Sequence, residues 1–208
     1  MPRASTRLRL LGQALRAAAA LLVVLVAAPG VAGQERVDGD LYANAKYGIQ
    51  VAKPASWYFI TAGAIVELAK KTAGGGKIRG EEDPVKLAGF AVVISKEPTL
   101  GRGIQPQVVV LVHELPAAPP DPIKACEGLR TGMTEPETLK PTRQVEVNGR
   151  PAARLDFQGL VDSDMVRATA LCTFKGRQAF VVVGQALASE FDSQFSAFES
   201  ILASFRLR

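Results

Sequence analysis

Apolar positions set the frame of this chain, and their clearest pattern lies at its C-terminal end. Phe191, Phe195, Phe198, Leu202 and Phe205 recur at spacings of four, three, four and three. That spacing puts all five on one stripe of a helix that turns every ~3.6 residues. Ser189 is placed to cap this helix, and Asp192 falls in the first turn, where a carboxylate meets the positive end of the helix dipole. Upstream the period changes to two. Ala153, Leu155 and Phe157 alternate with Arg154, Asp156 and Gln158, which predicts a strand with one dry and one wet face. Asn148-Gly149 separates Arg143–Val147 from Pro151–Gly159 and suits the positive φ angles of a tight hairpin. Two further strands, Met165–Phe174 and Gln178–Leu187, flank a turn at Lys175-Gly176. The run Phe180–Val183 reads as a central strand covered on both faces.

The same reading in the N-terminal half predicts a short strand from Leu41, a turn near Gly48 and a strand at Ile49–Ala52 that Pro54 stops. A short helix over Ile60–Thr72 would turn Ile65, Leu68 and Ala69 inward. Strands follow at Leu87–Ser95 and Pro106–Leu115. A proline-rich connector, Pro116–Pro122, then leads into a helix over Pro122–Gly132 capped by Asp121. Antiparallel strands with helices packed back over them make an α+β domain, a mainly antiparallel sheet flanked by helices and closed by the C-terminal amphipathic one.

The first 33 residues read as an address. Arg3, Arg7, Arg9 and Arg16 precede an apolar run, Ala17–Ala28, and Val31-Ala32-Gly33 supplies a cleavage site before Gln34. This is the three-part pattern of a secretory signal peptide. Twelve apolar residues fall short of the ~20 that a spanning helix needs, so a retained anchor is the weaker reading and no stable span remains after cleavage. The expected organisation is a leader, 1–33, and a single globular domain, 34–208, in the periplasm or outside the cell. Charge supports that division. The chain has 25 Lys and Arg against 20 Asp and Glu, and four of the arginines leave with the leader. The remaining 21 against 20 give +1, which makes no case for binding nucleic acid.

Candidate chemistry is sparse. Cys126 and Cys172 are an even pair in an exported chain, and form either a helix-to-sheet disulfide or two buried thiols. His113, the single histidine, is either a structural side chain near a strand end or a general base. Trp57, the single tryptophan, either plugs the end of the core or stacks on a ligand. Gly74-Gly75-Gly76-Lys77 lacks the Ser or Thr of a phosphate loop, since Ile78 follows the lysine, and reads as a surface loop. No Gly-x-Ser-x-Gly, HExxH or CxxC occurs, so serine-hydrolase and zinc chemistry lack their residues. Asp162 and Asp164 flank Ser163 in an acidic turn with too few oxygen ligands for a calcium site. No cofactor is expected.

Tyr47-Gly48-Ile49-Gln50-Val51 with Pro54 and Trp57, Val147-Asn148-Gly149-Arg150-Pro151-Ala152 before a strand, the hairpin at Lys175-Gly176 and the Phe191–Phe205 helix together resemble the PsbP-like superfamily. That superfamily of α/β/α sandwiches includes photosystem II extrinsic subunits, a Ran-binding nuclear import factor and DcrB-like bacterial envelope proteins. The lipidated cysteine of many bacterial members is missing here. The resemblance implies a fold and no catalytic residues. The first functional expectation is therefore an exported, non-enzymatic accessory or binding module of the bacterial envelope, its partner an unknown envelope protein. The alternatives are a carrier of a small apolar ligand held between sheet and helix near Trp57, and an enzyme using His113 with nearby carboxylates.

Overall fold

The computed structural model describes residues 35–65, 89–100, 103–117 and 121–208. The leader, the Leu68 and Ala69 part of the expected helix and the Gly74–Lys77 turn lie outside those residues. The frame is a seven-stranded antiparallel sheet. Its strands are β4 (Tyr58–Thr61), β5 (Phe90–Ser95), β6 (Gln107–Glu114), β7 (Thr134–Val147), β8 (Arg150–Val161), β9 (Asp164–Lys175) and β10 (Gln178–Leu187). Their spatial order is β4-β5-β6-β10-β9-β8-β7. A second, four-stranded sheet joins β1 (Glu35–Asp38), β2 (Leu41–Asn44) and β3 (Ile49–Ala52) to β11 (Arg206–Leu207) at the chain's end.

The large sheet is covered on both faces. On one lie α1 (Pro122–Glu127) and a following 3-10 turn, Gly128–Gly132, with a helical turn at 62–65. Asp121 caps α1 as its sequence position predicts, its Oδ1 accepting from Ile123 N at 2.9 Å. Cys126 of α1 is bonded to Cys172 of β9, with Cα atoms 5.7 Å apart. The bridge closes a 46-residue separation and contributes about 4 kcal/mol by restricting the unfolded chain. On the other face lies α2 (Ala188–Ser204), together with the small sheet. Tyr42 of β2 ties the two sheets, its hydroxyl donating to Ala91 O at 2.9 Å.

The phenylalanine stripe does what its period implies. Phe191, Phe198, Ile201, Leu202 and Phe205 are buried against Val110, Phe180 and Val182 of the sheet, and Phe195 is partly covered. Phe198 makes the closest approach: a Cβ added to Gly184 of β10 would stand 2.9 Å from its Cγ. Glycine is needed there for space. Asn148 and Gly149 both take positive φ, 51° and 71°, as the hairpin between β7 and β8 requires.

Four expectations are corrected. α2 starts at Ala188, directly after β10, so Ser189 lies inside the helix and no side-chain hydrogen bond from the described residues caps it. Residues 60 and 61 belong to β4, not to a helix, because Ile60 and Thr61 pair with Val93 and Val92. β7 begins at Thr134, nine residues before Arg143. Its polar, proline-bearing first half is legible only as an edge strand, where an irregular ladder tolerates Pro136 and Pro141. Arg154 and Asp156 do not face water. Each is only 8% exposed, for the reason given below.

Gly184→Ala should destabilise the protein by about 1–3 kcal/mol, the usual cost of overpacking a filled core. Equilibrium denaturation measures it, and an unchanged midpoint would mean that α2 does not rest on β10.

Candidate functional site

The flank of α2 is where the sequence's hydrophobic logic fails. β8 and β9 extend sideways past the helix, and the side chains of Arg154, Asp156 and Thr169 point to the helix side without reaching the aromatic packing. They are buried, so their polar groups must be matched internally. Thr169 Oγ1 accepts from Arg154 Nε at 3.1 Å and Nη2 at 2.8 Å, and donates to Asp156 Oδ1 at 2.5 Å. Arg154 Nη2 also donates to Glu199 Oε1 of α2. Arg143 of β7 stands 3.6 Å from Asp156 Oδ2, and Lys140 stands 3.9 Å from it. One turn from the start of the helix, Arg167 donates to Asp192 at 2.9 Å and lies over the Phe191 ring. That contact, not the helix dipole alone, holds Asp192.

Between this network, the β7–β8 hairpin and the end of α2 opens a groove of about 370 Å³, within the size range of small-ligand sites. Its polar lining is Arg143, Glu146, Asn148, Arg154, Glu199 and Arg206, and Leu171, Leu202 and Phe205 form its apolar part. Asn148 Oδ1 accepts from Leu207 N at 3.0 Å. Its Nδ2 amide therefore remains as a donor. Arg206 uses Nη1 on the carbonyls of Ala203 and Phe205.

Trp57 and His113, singled out in the sequence, are not brought together. Trp57 is 3% exposed and meets Phe198 edge to face, ring centroids 5.9 Å apart, on the α2 side of the sheet. Around it Phe191 and Phe198 pack at a tilt with centroids 5.3 Å apart, so the chain's own rings fill the space between sheet and helix. His113 extends the β6 parity of Val109 and Leu111, which belong to the core on the α1 side. Its Nε2 is buried without a hydrogen-bond partner among the described residues, and burial pushes its pKa below the ordinary 6.5. The acid beside it in sequence, Glu114, pairs with Arg177. Asp162 sits in an exposed turn at φ 57°, and the exposed Asp164 opens β9. Among the described residues no three His, Cys, Asp or Glu side chains gather as metal ligands, and no helix is long and apolar enough to cross a membrane.

Sequence reasoning missed the groove because its lining comes from 143–148, 154, 171 and 199–206. Only the folded hairpin and the closing helix bring those segments together. One signal was present: two charges at successive inward positions of a strand otherwise rich in apolar residues.

No protein-family model matches the sequence, and no curated protein does. Among solved structures the chain is similar to cyanobacterial PsbP (CyanoP) from Synechocystis sp. PCC 6803, with 16% identity and a TM-score of 0.51 over 88% of this chain and 99% of that one. It is also similar to LpqN, involved in cell envelope biogenesis of Mycobacterium tuberculosis, with 12% identity and a TM-score of 0.49 over 76% and 82%. The fold is PsbP-like. At such identities the likeness speaks for the fold alone.

Arg154→Ala should cost about 3–5 kcal/mol, because it removes the buried cation 4.0 Å from Asp156 and both donors to Thr169. Glu199→Gln, at a half-exposed position, should cost under about 1 kcal/mol. Urea denaturation of the two variants decides, and equal losses would contradict a buried network centred on Arg154. His113 carries a second expectation. Its pKa is depressed in the fold, so the unfolded chain protonates first, and its contribution to stability is intact above about pH 6.5 and lost as pH falls below that value. His113→Gln should flatten the decline of stability between pH 7 and 5. An unaltered pH profile would place the ring in water.

Proposed function

We propose that the protein is an exported, non-enzymatic binding module of the bacterial envelope, residues 34–208 forming the mature domain, and that it takes its partner in the groove beside α2. The observation that carries this reading is a preformed groove on a rigid frame, walled by one edge of the sheet and the end of the closing helix. Charged and amide side chains predominate in its lining, beside Leu171, Leu202 and Phe205, so fixed polar groups would orient what it holds. The leader pattern supports export, and the disulfide fits an oxidising compartment. The alternative of an apolar ligand between sheet and helix would require Phe191, Phe198 and Trp57 to part, whereas the groove is already open.

The test is capture of the protein from cross-linked native envelopes, wild type beside a double variant, Arg143→Glu with Arg206→Glu. A partner that is retained by the wild type and lost from the folded variant supports the reading. The same partner held equally by both would move the site elsewhere. Turnover of any substrate that His113→Ala abolishes would overturn the non-enzymatic assignment.

A further inference from the structure

The groove's hydrogen-bonding groups do not balance, and the imbalance indicates what it accepts. Arg206 spends only Nη1 on the chain, leaving Nε and Nη2 without a partner among the described residues. Arg143 makes an ion pair with Asp156 at 3.6 Å, too long for a hydrogen bond, so its charge is partly offset while its guanidinium N–H groups have no hydrogen-bond acceptor among the described residues. Arg154 commits Nε and Nη2 and keeps Nη1. Asn148 must aim Oδ1 at Leu207 N, since only the oxygen accepts, and this turns its Nδ2 donors free. Against these stand two acceptor side chains in the lining, Glu146 and Glu199, with Asp156 behind Arg143; Glu199 is already engaged by Arg154, and Asp156 by Thr169.

We infer that the groove beside α2 is a phosphate-recognition site, with Arg143, Arg206 and Asn148 donating to the phosphate oxygens and Arg154 held behind them. Guanidinium forks match phosphate oxygens in pairs, and a phosphate mono- or diester offers more acceptors than a carboxylate, a type of group the groove already supplies itself. The apolar floor of Leu171, Leu202 and Phe205 would lie against whatever carries the phosphate. This inference rests on the groove being the binding site of the preceding section, and names the chemistry of its occupant. The carrier is a soluble phosphate ester or a phospholipid headgroup.

The experiment uses the full mature chain with its disulfide, at physiological ionic strength. Inorganic phosphate and acetate are titrated by amide NMR, and sedimentation is measured with phosphatidylglycerol vesicles beside phosphatidylcholine vesicles. Shifts of the 143–148 and 199–207 amides with phosphate and not acetate are expected. Arg206→Gln should weaken binding about tenfold or more, the loss of a charge-assisted hydrogen bond. Lys124→Gln, on α1 across the sheet, should leave it unchanged. Vesicle binding that is specific to phosphatidylglycerol and lost in Arg206→Gln assigns the phosphate to a lipid, and phosphate shifts without vesicle binding assign it to a soluble ester. Acetate acting as well as phosphate, or equal losses from Arg206→Gln and Lys124→Gln, would overturn the inference. So would silence toward phosphate and vesicles alike. A protein partner still captured through Arg143 and Arg206 in that case would leave the binding module standing without its phosphate.

Discussion

The contact between Phe198 and Gly184 is the constraint on which the rest of the structure depends. A helix of 17 residues crosses the sheet at Gly184, a strand position with no side chain, and its rings reach the backbone of β10. That approach lets Phe191 and Trp57 close around Phe198, and carries the chain's end on to β3, where β11 pairs. Ser204 secures the join by accepting from Ala52 N at 2.9 Å. The small sheet is therefore held by the helix at one end and by Tyr42 at the other. Burial of this aromatic group supplies the driving force, and the short turns and hydrogen bonds make its arrangement unique.

The groove is a consequence of the same packing. A helix is narrower than a seven-stranded sheet, so α2 covers β10 and its neighbours and leaves β7 and β8 partly uncovered. Apolar side chains on that margin would be exposed and fully polar ones would not need to be ordered. Arg154, Asp156 and Thr169 sit between these limits, buried enough to need partners and close enough to one another to supply them. Such a network adds little net stability, because desolvation offsets most of its attraction. What it does is fix the guanidinium of Arg154 and the carboxylate of Glu199 in place. A surface of fixed charges is suited to recognition.

Much of the fold was legible in sequence because it rests on local periodicity. The hairpin at Asn148-Gly149, the strand Gln178–Leu187, the cap at Asp121 and the stripe from Phe191 to Phe205 each carry their signal within a few residues. The failures have a shared cause. Ser189 looks like a cap until β10 is seen to run straight into the helix. Thr134–Thr142 carries no strand signal because an edge strand needs no hydrophobic alternation. Arg154 and Asp156 look wet because polarity predicts exposure only when no charged partner lies nearby, and Glu199 and Arg143 are distant in sequence. The site was illegible for that reason: it is made of residues that meet only after the helix has closed.

The groove flanking α2 is the proposed functional face. Hydrogen–deuterium exchange of the protein alone and with its captured partner or ligand tests it most directly. Added protection should appear in the 143–148 hairpin arm and in 199–207. Protection confined to α1 and the 3-10 turn, on the opposite face of the sheet, would contradict the account.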